Sequence, residues 1–242
     1  MVEAFQIPLT DRMIAGSLHR PGGVCEAAPW VVLCHGLFSS MASEKFTGLA
    51  GRLCRAGIAA LCFDFSGCGS STGSIADTTV TRRLQELDAV VRFAEGHACL
   101  GPDSGLMGSS LGGFVGLLYA ESRLFKAVSV WAAPHELSVI KNNIPPGDLA
   151  RLKPGFFSDA ARYHPSTQSL SAPLQIIHGS RDEVVPVSHA HKLHAAFPGA
   201  GRPVIIEGAD HTISDPHHRN IALEACCAWF QQHLRAGCSP AR

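Results

Sequence analysis

The sequence has little charge and no excess of either sign. Charged residues make up 17% of the 242 residues, and 20 Lys and Arg balance 20 Asp and Glu, so the formal net charge is zero. A chain without a global positive field has no long-range attraction for nucleic acid or for anionic lipid. The hydrophobic fraction of 46% excludes a disordered chain. We therefore expect a globular protein that binds neither nucleic acid nor membrane.

Long apolar runs, a secretory signal and paired cysteines are also missing. The longest apolar stretches, such as residues 58–63 and 114–120, fall well short of the roughly 18 residues that span a bilayer. The first residues include Glu3 and lack the apolar segment of a signal peptide. The nine cysteines are odd in number and contain no C-x-x-C pair. These features predict a cytoplasmic protein with buried free thiols.

What the sequence does have is a regular alternation of short apolar runs and amphipathic stretches. Strands are predicted at residues 30–34, 58–63, 104–107, 127–131, 174–177 and 203–206, and helices at residues 43–55, 78–96, 111–122, 188–197 and 216–234. Residues 3–20 predict a hairpin, and Ser43 is a candidate helix cap. The alternation implies an α/β fold with a mostly parallel sheet and helices on both faces. Binding sites in such sheets lie at the carboxyl ends of the strands.

One segment interrupts the alternation. About forty residues separate the strand 127–131 from the strand 174–177, and a connection of that length is usually functional or has structure of its own. Two interpretations stay open: a packed surface insertion, or a small lid over a substrate pocket. We predict a single domain over residues 1–242 with a lid-like insertion at 134–171, in which Phe156 and Phe157 contact substrate.

Residues 108–112 read Gly-Ser-Ser-Leu-Gly and fit the G-x-S-x-G pattern around Ser110. The pattern holds a nucleophile exposed on a sharp turn from strand to helix, where small neighbours let the turn close. Residues 69–73 match it around Ser71, but they read as a loop without the strand and the helix. Ser109 does not occupy the serine position of the pattern. Ser110, between a predicted strand and a predicted helix, is therefore the candidate nucleophile.

A serine hydroxyl needs a base, and the order along the chain in this kind of site is Ser, acid, His. Asp182 follows the predicted strand 174–177, and His211 follows the predicted strand 203–206. Both side chains are thus expected at the same edge of the sheet as Ser110. Glu183 is an alternative acid, although the Val-Val-Pro that follows the acidic pair favours Asp182.

The other histidines have simpler interpretations. His189, His191 and His194 lie on one predicted amphipathic helix without a metal-ligand signature, so we predict no metal. His35 and His178 each lie at the end of a predicted buried strand and are expected to be structural hydrogen-bonding residues.

Acyl transfer also needs donors for the oxyanion. The backbone N–H of Leu111, directly after the candidate nucleophile, is one candidate. The second comes from the loop after the strand 30–34, with Leu37 the first choice and Phe38 the second. Phe38 is also a candidate substrate contact.

These motifs together resemble those of the α/β-hydrolases over nearly the whole chain. The matching pieces are residues 34–37, 63–71, 108–113, 178–186 and 208–211. Within that superfamily the chain is similar to small cytosolic esterases of the cinnamoyl and feruloyl type. The stretches FDFSGCGSSTG and GSSLGG also resemble the acyl-protein thioesterases of the abhydrolase group. The resemblance implies serine-hydrolase machinery.

The leading hypothesis is a serine esterase that cleaves carboxylic esters of short-to-medium or aromatic acyl groups without a cofactor. The alternative is a thioesterase acting on acyl-protein or acyl-CoA. A peptidase and a non-catalytic binding module on the same fold are weaker alternatives, because nothing marks a site for a peptide terminus and because the Ser, Asp and His set is complete. The expected partner is a small-molecule ester or thioester.

Overall fold

An eight-stranded sheet organises the computed structural model, which describes residues 1–22, 27–165 and 170–234. The strands are β1 (Val2–Leu9), β2 (Arg12–His19), β3 (Ala28–Cys34), β4 (Ala59–Phe63), β5 (Leu100–Ser109), β6 (Ala127–Trp131), β7 (Leu174–Gly179) and β8 (Val204–Ile206). Their spatial order is β1-β2-β4-β3-β5-β6-β7-β8. β1 and β2 form the predicted antiparallel hairpin, and β3 to β8 pair in parallel. The predicted α/β fold class is confirmed.

Besides the short 3₁₀ helix Ile75–Asp77, eight α-helices complete the described part of the chain. They are α1 (Glu44–Arg55), α2 (Val80–Glu95), α3 (Leu111–Ala120), α4 (Ser138–Asn143), α5 (Pro146–Leu149), α6 (Gly155–Ala160), α7 (Ser188–Ala196) and α8 (Pro216–His233). None of them combines the length and the apolar content that crossing a membrane requires. The predicted helices outside the insertion are all present, and their ends differ from the predicted ones by no more than two residues.

The central strands are buried on both faces, which explains their continuous apolar sequences. Every residue of β3 and β4 is buried. One core cluster packs α1 and α8 against the sheet through side chains such as Phe46, Leu49 and Phe230. The other cluster packs α2, α3 and α7 on the opposite face. The sheet is thus covered on both sides, as parallel sheets require.

One local expectation is confirmed in position only, and another was wrong. Ser43 occupies the N-cap position of α1, but its side chain makes no capping hydrogen bond. β5 begins at Leu100 rather than at residue 104, because it continues along β3 past a register shift and pairs Leu100 with Ala28.

The insertion between β6 and β7 contains α4, α5 and α6, and its residues 166–169 lie outside the described residues. A carboxylate holds α6 at the start of α2. Asp159 accepts a hydrogen bond from the backbone N–H of Thr81 at 2.9 Å and another from its hydroxyl at 2.5 Å. The Tyr163 hydroxyl lies 2.7 Å from the same Thr81 oxygen. The part of the insertion around α6 is therefore attached to the sheet-packing helix α2.

Candidate active site

Ser110 lies at the junction of β5 and α3 in a strained backbone conformation. Its φ of 54° and ψ of −125° belong to a region that residues with a side chain rarely adopt. Its backbone N–H donates to the carbonyl of Trp131 at 2.8 Å, which fixes the turn on β6. The Ser110 side chain is thereby presented at the carboxyl end of the sheet.

Glycines make this turn sterically accessible. A Cβ on Gly108 would lie 2.4 Å from the carbonyl oxygen of Gly112, and a Cβ on Gly112 would lie 2.3 Å from that of Cys34. Real Cβ atoms essentially never come this close to backbone atoms. The Gly-Ser-Ser-Leu-Gly pattern therefore reflects direct contact between the turn, α3 and β3.

The structure brings Ser110, His211 and Asp182 into one hydrogen-bonded chain. Ser110 Oγ lies 3.0 Å from His211 Nε2, and His211 Nδ1 lies 2.8 Å from Asp182 Oδ2. A carboxylate only accepts hydrogen bonds, so Nδ1 carries the proton and Nε2 is the acceptor for the serine hydroxyl. Asp182 follows β7 and His211 follows β8, as the sequence predicts.

Asp182 is buried and ionised. Burial alone would raise the pKa of its carboxyl group, but hydrogen bonds from His178 and His211 outweigh burial and lower the pKa to about 2. The backbone N–H groups of Val184 and Val185 also donate to Asp182 Oδ1, at 3.0 and 2.7 Å. The alternative acid Glu183 is exposed. Asp182 is therefore the carboxylate that orients His211.

The two other serines considered at the nucleophile position have different partners. Ser71 donates its hydroxyl proton to the Asp64 carbonyl at 2.6 Å and accepts from the backbone N–H of Ala15 at 2.8 Å. Ser109 is buried and accepts a hydrogen bond from Lys45 Nζ at 2.9 Å. Both hydroxyls are thus engaged away from His211.

The loop after β3 lies against Ser110. A Cβ on Gly36 would be 3.1 Å from the Ser110 Cβ. His35 fixes this loop: its Nε2 accepts from the backbone N–H of Phe65 at 2.9 Å, so Nδ1 donates to the Gly36 carbonyl at 2.7 Å. Burial lowers the pKa of His35 to about 3 and keeps the ring neutral. His35 is thus the structural hydrogen-bonding residue that its position predicts.

The two candidate oxyanion donors flank the nucleophile. Leu37 follows Gly36 in this loop, and Leu111 is the first residue of α3. An N–H group in the first turn of a helix has no acceptor within that helix. Their role in binding an oxyanion stays a prediction.

The three predicted substrate contacts have different environments. Phe38 adopts a φ of 58° and lines a cavity of about 460 Å³, where the Arg151 guanidinium lies 4.4 Å from its ring centre. Phe156 is 1% exposed and belongs to the core. Phe157 lines a separate cavity of about 360 Å³, and neither cavity has Ser110, Asp182 or His211 in its wall. Of the three, only Phe38 belongs to the loop after β3, which lies against Ser110. A substrate role for all three stays a prediction.

The histidines of α7 point to no metal site. His189 is buried and accepts a hydrogen bond from the backbone N–H of His135, whereas His191 and His194 are exposed. Within residues 1–22, 27–165 and 170–234, no group of three or more His, Cys, Asp and Glu side chains is arranged to hold a metal ion.

Sequence reasoning missed Lys45 at this site. The side chain reaches from the start of α1 to Ser109, which is 64 residues away and directly precedes the candidate nucleophile. No spacing or motif connects the two residues, so only the folded structure, which brings the start of α1 to the end of β5, reveals the contact.

The fold is shared with solved hydrolase structures. Est1E from Butyrivibrio proteoclasticus with bound ferulic acid superposes with a TM-score of 0.84 at 22% identity, over 95% of this chain and 99% of that one. Alpha/beta hydrolase domain-containing protein 10 from mouse superposes with a TM-score of 0.78 at 19% identity, over 95% and 99%. At these identities the similarity shows the fold alone.

Sequence relatives cover shorter stretches. The mitochondrial palmitoyl-protein thioesterase ABHD10 of Rattus norvegicus is 27% identical over 185 residues, which are 65% of this chain and 60% of the relative. An uncharacterised 31.7 kDa protein of Escherichia coli is 30% identical over 108 residues, which are 44% of this chain and 35% of the relative. The matched stretches thus span less than two thirds of either relative.

The chain also matches a protein-family model. The model of the alpha/beta hydrolase family matches residues 31–175, from the middle of β3 to the start of β7. The matched region contains the turn that carries Ser110, and the two remaining strand ends carry Asp182 and His211. The chain belongs to the alpha/beta hydrolase family.

Proposed function

We propose that this protein is a serine hydrolase that cleaves carboxylic esters of short-to-medium or aromatic acyl groups. The observation that carries the proposal is the hydrogen-bonded chain from Ser110 through His211 to Asp182, with Ser110 on a strained turn. A nucleophile within hydrogen-bond reach of a base, which a third group orients, is the arrangement that acyl transfer requires.

In the proposed reaction, Ser110 Oγ attacks the acyl carbon while its proton passes to His211 Nε2. The imidazolium then protonates the leaving alcohol, and an acyl-enzyme remains on Ser110. Water attacks this ester by the same route, so that the products are the acid and the alcohol and Ser110 regains its proton. Asp182 stabilises the imidazolium in both halves, and no cofactor takes part.

The oxyanion of each tetrahedral intermediate is assigned to the backbone N–H groups of Leu37 and Leu111. Preorganised donors of this kind supply a large share of the stabilisation in acyl transfer. Gly36, which lies against the Ser110 side chain, supports this assignment because it brings the loop of Leu37 to the nucleophile.

Two observations bear on the substrate. The ferulic acid bound to Est1E supports an aromatic acyl group, since the two chains share the fold over nearly their whole lengths. The relationship to a palmitoyl-protein thioesterase supports a second candidate, a thioesterase acting on acyl-protein or acyl-CoA. Both activities use the same acyl-enzyme and differ in the leaving group.

We also propose a cytoplasmic location, which the seven free thiols of the described residues support.

A fluorophosphonate probe followed by peptide mapping tests the class in one step. We expect a single adduct on Ser110 and turnover of p-nitrophenyl esters. A panel of acyl thioesters with the same acyl groups then separates the two candidates. An unlabelled, folded protein that cleaves none of these substrates would contradict the proposal and favour a non-catalytic binding module.

A further inference from the structure

A third cavity, of about 230 Å³, lies beside the cavity at Phe38, with which it shares Ser39 and Ser43. Its wall includes Ser43, Glu44 and Lys45 from the start of α1, Thr212 and Ser214 from the loop after His211, and Arg219 from α8. Thr212 directly follows His211, and Lys45 hydrogen-bonds to the residue directly before Ser110. Ser110 and His211 do not line this cavity, but each is the chain neighbour of a residue that lines it or contacts its wall. We refer to the cavity as the Lys45 pocket.

Lys45 is a partly buried cation without a direct counter-ion. Its hydrogen-bond acceptor is the neutral hydroxyl of Ser109 at 2.9 Å, and no ion pair within the described part of the chain involves it. Desolvation lowers the pKa of its ammonium group to about 8, although the more distant Asp210 and Asp182 carboxylates raise it. An anion that enters the pocket would stabilise this desolvated charge.

Arg219, the second cation of the pocket, already has partners. It forms an ion pair with Glu44 and donates to the backbone carbonyls of Ser214 at 2.8 Å and Ile213 at 3.4 Å. Arg219 thus fixes the shape of the pocket wall, and Lys45 supplies the unneutralised charge.

The start of α1 adds two further features that favour an anion. Ser43 Oγ is buried without a hydrogen-bond partner, although Ser43 lines the Lys45 pocket. Ser43, Glu44 and Lys45 are the N-cap and the first two residues of a helix of 12 residues. Backbone N–H groups and the helix dipole favour negative charge at that end.

We propose that the Lys45 pocket binds a carboxylate on the alcohol or thiol half of the substrate, with Lys45 as the specificity-determining residue. The proposal rests on the ester hydrolase function proposed above. Thr212, which follows His211, lines the pocket. Because His211 would protonate the leaving group, we assign the bound carboxylate to the leaving half. A single unpaired ammonium matches the single charge of a carboxylate.

The test compares two acetyl esters that differ in one charge, 4-acetoxybenzoate and its neutral amide 4-acetoxybenzamide. The measured quantity is the ratio of their kcat/KM values, because a folding defect lowers both values and leaves the ratio unchanged. We expect Lys45→Gln to lower this ratio by roughly 10- to 100-fold, the range for a lost hydrogen bond to a charged group. Lys45→Arg, which keeps the charge, should restore most of it.

Lys126→Gln is the matched control, because it removes the same charge from an exposed side chain that pairs with Asp103. We expect it to leave the ratio unchanged. Ser43→Ala provides a second variant within the pocket and should lower the ratio by a smaller factor. A ratio that is the same in the wild type, in Lys45→Gln and in Ser43→Ala overturns the proposal.

A second pair of substrates tests which half of the ester the pocket binds. The p-nitrophenyl monoester of succinate carries its charge on the acyl half, and p-nitrophenyl butyrate is its neutral counterpart. We expect Lys45→Gln to leave the ratio for this pair nearly unchanged. A loss of the succinate preference instead of the benzoate preference would contradict the assignment to the leaving half.

The pH dependence gives a third readout. The ammonium is charged below its pKa, so the wild-type preference for 4-acetoxybenzoate should be complete well below pH 8, about half lost near pH 8 and absent well above it. The charged groups around Lys45 are Asp182, Asp210 and Arg219, and Glu44 neutralises Arg219. The ratio cancels any titration that affects both esters equally. A ratio that stays constant from pH 6 to pH 10 would contradict the role of Lys45.

The two proposals fail in different ways. If the wild type cleaves none of the four esters, the ester hydrolase function is wrong. If it cleaves the neutral esters and Lys45→Gln leaves the benzoate ratio unchanged, only the role of the Lys45 pocket is wrong.

Discussion

The hydroxyl of Ser110 has one function in the proposed mechanism and little part in packing. We predict that Ser110→Ala abolishes fluorophosphonate labelling and lowers kcat by as much as about 10⁶-fold, the loss seen when a catalytic nucleophile is removed. Alanine has the same backbone restrictions as serine, so the melting temperature should change by only a few degrees. Labelling by mass spectrometry and thermal unfolding measure the two effects.

Ser109→Ala and Ser71→Ala are the controls for this prediction. Both hydroxyls make hydrogen bonds away from His211, to Lys45 and to the Asp64 carbonyl respectively. Both variants should therefore keep the adduct on Ser110. An adduct on either residue in the Ser110→Ala variant would show that the nucleophile has been assigned wrongly.

The carboxylate of Asp182 matters through its charge rather than its shape. Asp182→Asn keeps the volume but offers an N–H or a neutral oxygen to His211 Nδ1, which disturbs the tautomer and leaves the imidazolium unpaired. We predict a fall in kcat of about 10²- to 10⁴-fold, with the upper end taken from serine proteases. Steady-state kinetics on one p-nitrophenyl ester measures the loss. Glu183→Gln, at the exposed neighbour, should have little effect, and a larger loss there would identify Glu183 as the acid.

At the scale of elements, the close contact between α3 and β3 positions the nucleophile turn. A Cβ on Gly112 would lie 2.3 Å from the Cys34 carbonyl oxygen, so Gly112→Ala forces the helix away from the strand. We predict a loss of at least about 2 kcal/mol in the free energy of unfolding, in the range for overpacked sites, together with reduced kcat. Denaturant titration and kinetics measure the two. Gly147→Ala is the matched control, because nothing lies within 4 Å of its added Cβ.

Phe156 and Phe157 are adjacent in α6 but differ in burial, so their substitutions should have different effects. Phe156 is 1% exposed in the core, so Phe156→Ala should lower the free energy of unfolding by about 3–5 kcal/mol.

Phe157 is only partly buried and lines a cavity, where Lys141 Nζ lies 5.9 Å from its ring centre. We predict that Phe157→Ala costs less stability and changes kcat/KM for butyryl esters more than for acetyl esters. An equal effect on both esters would exclude Phe157 from the acyl pocket.

For the whole molecule, the parts predictable from sequence are those that local patterns encode. Continuous apolar runs identify strands buried on both faces, and G-x-S-x-G with its flanking strand and helix identifies the turn of Ser110. Contacts between distant segments are not encoded in this way. The pairing of Lys45 with Ser109 and the burial of Phe156 beside the partly buried Phe157 depend on how α1 and α6 pack. The sequence predicts the catalytic candidates, whereas the specificity candidates require the fold.

The volumes of the two largest cavities described above bear on the length of the acyl group that we propose. The cavity at Phe38 has about 460 Å³ and the one at Phe157 about 360 Å³, and they share no wall residue. Both lie near the lower end of the roughly 300–1,000 Å³ range of ligand pockets. Cavities of this volume are consistent with the modest acyl pocket that we propose.

We therefore predict that kcat/KM rises from acetyl to butyryl or hexanoyl esters and falls before palmitoyl. Each buried methylene contributes about 0.8 kcal/mol while the chain stays within the pocket, and further methylenes remain in water. Oxygen esters and thioesters of the same acyl series, assayed side by side, measure the profile. Because both substrates form the same acyl-enzyme, a shared optimum length would assign the limit to the acyl pocket. An optimum at palmitoyl in the thioester series would contradict the small pocket and favour the acyl-protein thioesterase.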